Sequence, residues 1–163
     1  MMEPGSLSKK RIILGVTGSI AAVETVRLAH ALRREGASVT AVMTEAATRI
    51  IHPDALTYAT GNDAITALSG HVEHVTFCGD GGSADLLLIA PCTANTLCKI
   101  ARGIDDTPVT TFASTALGAG LPVVVAPAMH ESMYRHPGVS ECIRCLSSWK
   151  VTVLRRTRPF SSA

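Results

Sequence analysis

A chain of 163 residues with a net charge of +2 amounts to one domain, long enough to bury a substantial core. So small a charge gives no argument for nucleic acid, and no basic face interleaved with aromatics accompanies it; no apolar run reaches the roughly 18–20 residues of a membrane span. Apolar residues make up 47% and aromatics only 4%, an Ala, Val, Ile and Leu balance that suits a parallel sheet covered by helices. The first ten residues lack the apolar centre of a secretory signal. Five cysteines, an odd number set in apolar surroundings, fit reduced thiols, so a cytoplasmic protein is expected.

In chain order, residues 1–9 read as a tail, 10–155 as the folded domain and 156–163 as a basic extension. Arg11–Val16 is a first buried strand, ending in Thr17-Gly18-Ser19. The spacing predicts a helix over 20–34, with Glu24, Arg27 and Arg34 on one face and Ala21, Leu28 and Leu32 on the other; Gly36 ends it. Ser38–Met43 is a second strand, and Thr44 opens another short helix, which makes a βαβ unit. Residues 53–68 predict one or two short helices with a turn at Gly61-Asn62-Asp63, and 71–75 a short strand. Gly79–Ser83 is a loop. The run Leu86–Ile89 is a buried strand stopped by Pro91, and helices follow over about 95–102 and 108–117. Pro122–Ala126 is a further buried strand, 137–146 a helix and 151–154 a last strand.

Three strand ends carry small or polar residues: Val16-Thr17-Gly18-Ser19-Ile20, Met43-Thr44-Glu45, and Pro91-Cys92-Thr93-Ala94-Asn95-Thr96. A parallel sheet brings its strand C-termini to one edge, where open α/β folds bind ligands. Hydroxyls, a carboxamide and first-turn N–H groups suit a polar, phosphate-bearing cofactor, and none of these residues is a nucleophile with an attached base. Gly18 and Ser19 have a plainer reading too, as a tight turn and an N-cap. The spacing is not Gly-x-Gly-x-x-Gly, which argues against a nicotinamide cofactor.

Gly18-Ser19-Ile20, Thr93-Ala94-Asn95-Thr96 and Pro127-Ala128-Met129-His130-Glu131-Ser132-Met133-Tyr134 together resemble the homo-oligomeric flavin-containing cysteine decarboxylases, and within them the branch acting on phosphopantothenoylcysteine in coenzyme A biosynthesis. The likeness runs from about Lys10 to Val151. It implies a three-layer, doubly wound α/β sheet of flavodoxin-like or Rossmann-like form, with FMN as cofactor. Phosphate and ribityl contacts would fall on Gly18, Ser19, Ile20 and Thr44, and Thr93, Ala94, Asn95, Thr96 and Ala128 would line the flavin. His74 matches the family's active-site histidine, with His71 as the fallback because Gly79–Ser83 lengthens the spacing to the next strand. Met129 and His130 match the substrate-holding segment. The implied chemistry is oxidation of a cysteine to a thioaldehyde, loss of carbon dioxide to give an enethiolate, and its reduction to 4′-phosphopantetheine. The implied assembly is a homotrimer or homododecamer acting on a small molecule, with FMN at a subunit boundary and the histidine supplied by the neighbour.

Two departures stand out. His130 replaces the family's usual Asn, and a histidine also donates a hydrogen bond there. The glycine-rich loop with a cysteine that clamps substrate in relatives forming the saturated thiol finds no match before Ala163, and Cys142 and Cys145 lie too early for it. That opens two alternatives: a reaction, on a peptidyl cysteine for example, that stops at the enethiol, or an FMN-binding electron carrier or regulator that is no decarboxylase. Prenyl-flavin synthases fit less well, because the Pro127–Tyr134 segment follows the decarboxylase pattern. Cys142 and Cys145 read as small apolar helix residues, not a redox pair or part of a zinc site, and no metal is expected. Asp105 and Asp106 read as helix-start charges, and Arg102 as a solvated cation with a phosphate contact as the alternative.

Overall fold

The computed structural model describes residues 5–155, so the basic extension expected over 156–163 lies outside the described residues. Five strands form one all-parallel sheet: β1 (Arg11–Val16), β2 (Ser38–Met43), β3 (Leu86–Cys92), β4 (Val123–Pro127) and β5 (Thr152–Val153), in the order β2-β1-β3-β4-β5. The chain leaves β1 toward one edge and returns past it to β3, so the order reverses between β1 and β3. That reversal opens a crevice at the strand C-termini. The expected flavodoxin-like, doubly wound arrangement is the one found.

Alternation along the strands feeds two cores. Ile12, Leu14 and Val16 join Val39, Ala41 and Met43 under α1 (Thr25–Arg34) and α3 (Pro53–Thr60), with α2 (Glu45–Thr48) closing the top of β2. Ile13, Leu87, Ile89, Val123 and Val125 face the opposite way. Four helices cover them: α4 (Glu73–Cys78), α5 (Ala94–Arg102), α6 (Pro108–Gly118) and α8 (Pro137–Ser148). A short α7 (Glu131–Tyr134) precedes α8. Among the described residues, no helix is long and apolar enough to cross a membrane.

Several expectations needed correction. The helix predicted over 20–34 is a 3₁₀ turn, Ile20–Glu24, followed by α1. The tighter turn rotates the register, so Ala22, Thr25 and Ala29 are the buried stripe, while Ala21, Leu28 and Leu32 are half-buried. Residues 71–75 do not form a strand: Val72 takes a left-handed conformation (φ 46°) and α4 starts at Glu73. There the Glu73 carboxylate accepts hydrogen bonds from the Ser69 hydroxyl and backbone N–H, and local side-chain bonding of this kind overrides the β preference of two valines. Gly61 ends α3 with φ 75°, and Ile65 then bridges to Val42 at the sheet edge instead of continuing as helix. Pro91 does not stop β3, which runs on to Cys92. The register shift against β4 between Ile89 and Cys92 absorbs the missing N–H.

Candidate functional site

Four strand ends are tied together at the sheet's C-terminal edge. Thr44 N–H donates to the Val16 carbonyl (3.0 Å), Thr17 N–H to the Pro91 carbonyl (3.3 Å), and Ala128 N–H to the Cys92 carbonyl (2.9 Å). The Thr17 hydroxyl completes the link. It donates to the Pro91 carbonyl at 2.7 Å and accepts from Thr93 N–H at 2.9 Å. Thr17 is buried, and it spans the β1/β3 crevice. Reading the strand ends did not single it out as a site residue; its signal was a threonine at the end of an otherwise apolar strand.

Three of the turns leaving this edge, those after β1, β2 and β3, are capped. Ser19 Oγ accepts from Ala21 N–H (3.3 Å), Thr44 Oγ1 from Ala47 N–H (3.2 Å) and Thr93 Oγ1 from Thr96 N–H (3.2 Å). A hydroxyl that accepts keeps its own proton to give. Thr93 gives its proton to Thr96 Oγ1, whereas Ser19 and Thr44 retain theirs for a guest. First-turn N–H groups, including those of Ile20, Ala94 and Asn95, have no intrahelical acceptor by construction. Asn95 is exposed with its carboxamide, and Thr96 is buried.

Gly18 answers to packing. Its φ is not positive, and a Cβ built there would lie 2.5 Å from the Ala46 Cβ. Any side chain would drive the β1 turn away from α2.

The sequence-predicted substrate side lies apart from this network. His74 sits half-buried in the first turn of α4, its ring edge-on to Phe112 of α6 (6.4 Å, 67°). Its Nδ1 is buried and has no hydrogen-bond partner. The strand ends are bound together without it. The fallback, His71, is exposed, and its backbone N–H donates to Ser69 Oγ (3.1 Å). His130 occupies the N-cap position of α7 and makes no capping bond through its side chain, while Met129 beside it is half-buried. The Ala128–Cys92 bond carries this segment to the edge shared with Thr93.

Two of the thiols are poor nucleophiles. Burial pushes Cys78 and Cys92 up to about 12, leaving them protonated at neutral pH. Cys142 is buried and Cys145 Sγ lies 3.9 Å from the Ala101 carbonyl, as expected for small apolar helix residues. Thr107, in a reciprocal capping box with Thr110, caps α6. The preceding acids are occupied: Asp106 pairs with Lys99 at 2.7 Å and Asp105 accepts from the Thr111 hydroxyl.

The sequence model of the flavoprotein family matches residues 1–162. The chain belongs to the flavoprotein family. Over 138 residues, 84% of its length, this flavoprotein is 56% identical to a coenzyme A biosynthesis bifunctional protein, CoaBC, of Thermococcus kodakarensis. The match covers 34% of that relative, so the chain spans about a third of the relative's length. Among solved structures, it resembles the FMN-dependent cysteine decarboxylase SpaF, with a TM-score of 0.79, 30% identity, and 91% of this chain and 85% of that one covered. It also resembles a C175S mutant of PPC decarboxylase complexed with pantothenoylaminoethenethiol, with a TM-score of 0.71, 29% identity, and 90% and 81% covered.

Proposed function

We propose that this flavoprotein binds FMN at the edge closed by Thr17 and decarboxylates the cysteine carboxylate of phosphopantothenoylcysteine, a step of coenzyme A biosynthesis. The observation that carries the reading is the stitched β1/β3 crevice, where hydroxyl protons and free first-turn N–H groups meet. Its kinship with the CoaBC proteins supports the substrate.

Bound there, FMN supplies reversible two-electron oxidation of the substrate cysteine. The chain's own residues hold and orient. Ser19, Thr44 and the Ile20 N–H receive the phosphate and ribityl groups at the turn that Gly18 keeps tight. Thr93, Ala94, Asn95, Thr96 and Ala128 line the ring. His130, uncapped at the start of α7, donates to the substrate carboxylate, and Met129 packs beside it. The His74 imidazole takes the thiol proton, or holds the carboxylate in line.

A homo-oligomer, trimeric or dodecameric, belongs to the same reading. On the α1 side of the sheet, Leu86, Leu88 and Ala126 are only half-buried, and the 3₁₀ turn packed against β3 leaves Ile20 and Val23 exposed at 70% and 51%. A contiguous apolar face of this kind is covered by a partner more often than by water. In such an assembly a second copy brings the solvent-facing part of His74 to the strand ends of its neighbour.

The test is to incubate the FMN-loaded protein with phosphopantothenoylcysteine and follow carbon dioxide and product mass. Loss of carbon dioxide supports the reading, and the product mass separates enethiol from saturated thiol. Bound FMN with no carbon dioxide release from this substrate or a peptidyl cysteine leaves an electron carrier or regulatory flavoprotein instead. Native mass spectrometry reads the assembly.

A further inference from the structure

Next to the strand-end edge, α5, α7 and α8 line an open groove of about 440 Å³, the size of a small-molecule site. It opens at Ala94 and Asn95, the first turn of α5 and part of the proposed flavin lining, and reaches Arg102 at the helix's other end. Seven residues of helix separate Asn95 from Arg102, about 10 Å at 1.5 Å per residue. Between them the walls are Cys98, Met133, Val139 and Cys142. Burial, and after it the neighbouring Cys142, pushes the Cys98 thiol up to about 11, so Cys98 adds no charge to this wall at neutral pH.

Each polar side chain on the lining can donate. His136 Nδ1 accepts from Gly138 N–H at 3.0 Å, which leaves the ring proton of the neutral imidazole on Nε2 as a donor. Asn95 offers its carboxamide. Arg102 is half-exposed and holds Glu141 through one nitrogen at 2.8 Å, which leaves further guanidinium N–H groups free. Glu141 is held ionised by Arg102 first and is also attracted by Arg144, so two cations face one carboxylate at this end. The lining itself contains no acid.

We propose that this cleft receives the part of the substrate beyond the reacting cysteine: an uncharged, amide-linked arm ending in a phosphate that Arg102 binds. The proposal rests on the decarboxylase reading and adds to it a specificity site, with Asn95 and His136 donating to amide carbonyls. A phosphate at this distance distinguishes a phosphorylated small molecule from a cysteine in a peptide.

The test measures binding, which turnover does not confound. The FMN-loaded protein is titrated by calorimetry with 4′-phosphopantetheine and with pantetheine, which differ only in the phosphate. The phosphorylated compound should bind about tenfold tighter or more, as a charge-assisted contact requires. In Arg102→Gln that preference should vanish. In Val139→Trp, which fills the cleft, both compounds should weaken together while the flavin spectrum stays intact. Equal affinity for the two compounds, or a preference that survives Arg102→Gln, overturns the proposal. Failure of the decarboxylase reading shows separately, as absence of carbon dioxide release from a protein that still discriminates the two compounds.

Discussion

The two halves of the candidate site are built on opposite principles. At the β1/β3 edge, Thr17, Thr44, Thr93 and Thr96 all have hydrogen-bond partners within the chain. On the histidine side, the His74 Nδ1 is buried without a partner and His130 stands at a helix start without capping it. An unpaired buried polar atom costs free energy unless something outside the chain satisfies it. The first half is therefore a frame joined largely by its own hydrogen bonds, and the second, the open side, leaves two histidine side chains without one. Changes in the frame should act on stability and flavin retention together; changes on the open side should act on turnover alone.

The largest expected effect lies on the open side. His74→Asn should lower carbon dioxide release by about 10²–10⁴-fold, the range for a lost acid–base group, while the bound-flavin spectrum stays unchanged. Retained turnover would erase the distinction between the two halves and leave His74 as a packing partner of Phe112.

Within the frame, Thr17→Val removes one donor and one acceptor at once: the Thr93 N–H loses its partner, and the Pro91 carbonyl keeps only the bond from the residue-17 backbone N–H. The cost should be about 1–3 kcal/mol, read as a lower denaturant midpoint, with faster release of FMN. Thr17→Ser keeps both bonds and should restore both readouts. Gly18→Ala should cost a similar amount, about 1–3 kcal/mol by overpacking, because its Cβ meets Ala46 at 2.5 Å. Adding Ala46→Gly relieves that clash. Recovery of both stability and flavin binding in the double variant would make Gly18 purely a packing residue. Recovery of stability alone would show that FMN also needs the bare backbone.

The same contrast marks how far the sequence could be read. Arg11–Val16 and Ser38–Met43 are buried runs with clear ends, and the structure places β1 and β2 on those residues. Their convergence with the Thr93 turn followed from parallel geometry alone. Thr17 escaped notice because its role is a bridge between segments 74 residues apart in sequence, which no local pattern displays. The strand expected at 71–75 failed for a local reason, the Ser69–Glu73 hydrogen bonds that begin α4. Pro91 inside β3 was misplaced because a register shift depends on the partner strand. Arg102, read as a solvated cation or a phosphate contact, gains its setting only when α8 packs against α5.

The smallest effect tests what orients the open side. Glu73 adjoins His74 at the start of α4, and its carboxyl is pulled from 4.5 to about 2, chiefly by the Ser69 hydroxyl and then by the Ser69 backbone N–H. A depressed folded-state value means that this lock is fully present above about pH 4.5 and is lost as pH falls toward 2. Ser69→Ala deletes the stronger bond and should move the Glu73 titration upward, toward 4.5, in a carboxyl-carbon NMR experiment. If the lock orients the histidine, the variant should also lose part of its turnover at neutral pH, with flavin content unmoved. An unchanged rate with a shifted titration would mean that α4 is held well enough by Phe77 and Cys78 in the core, and that the carboxylate only shapes the loop before it.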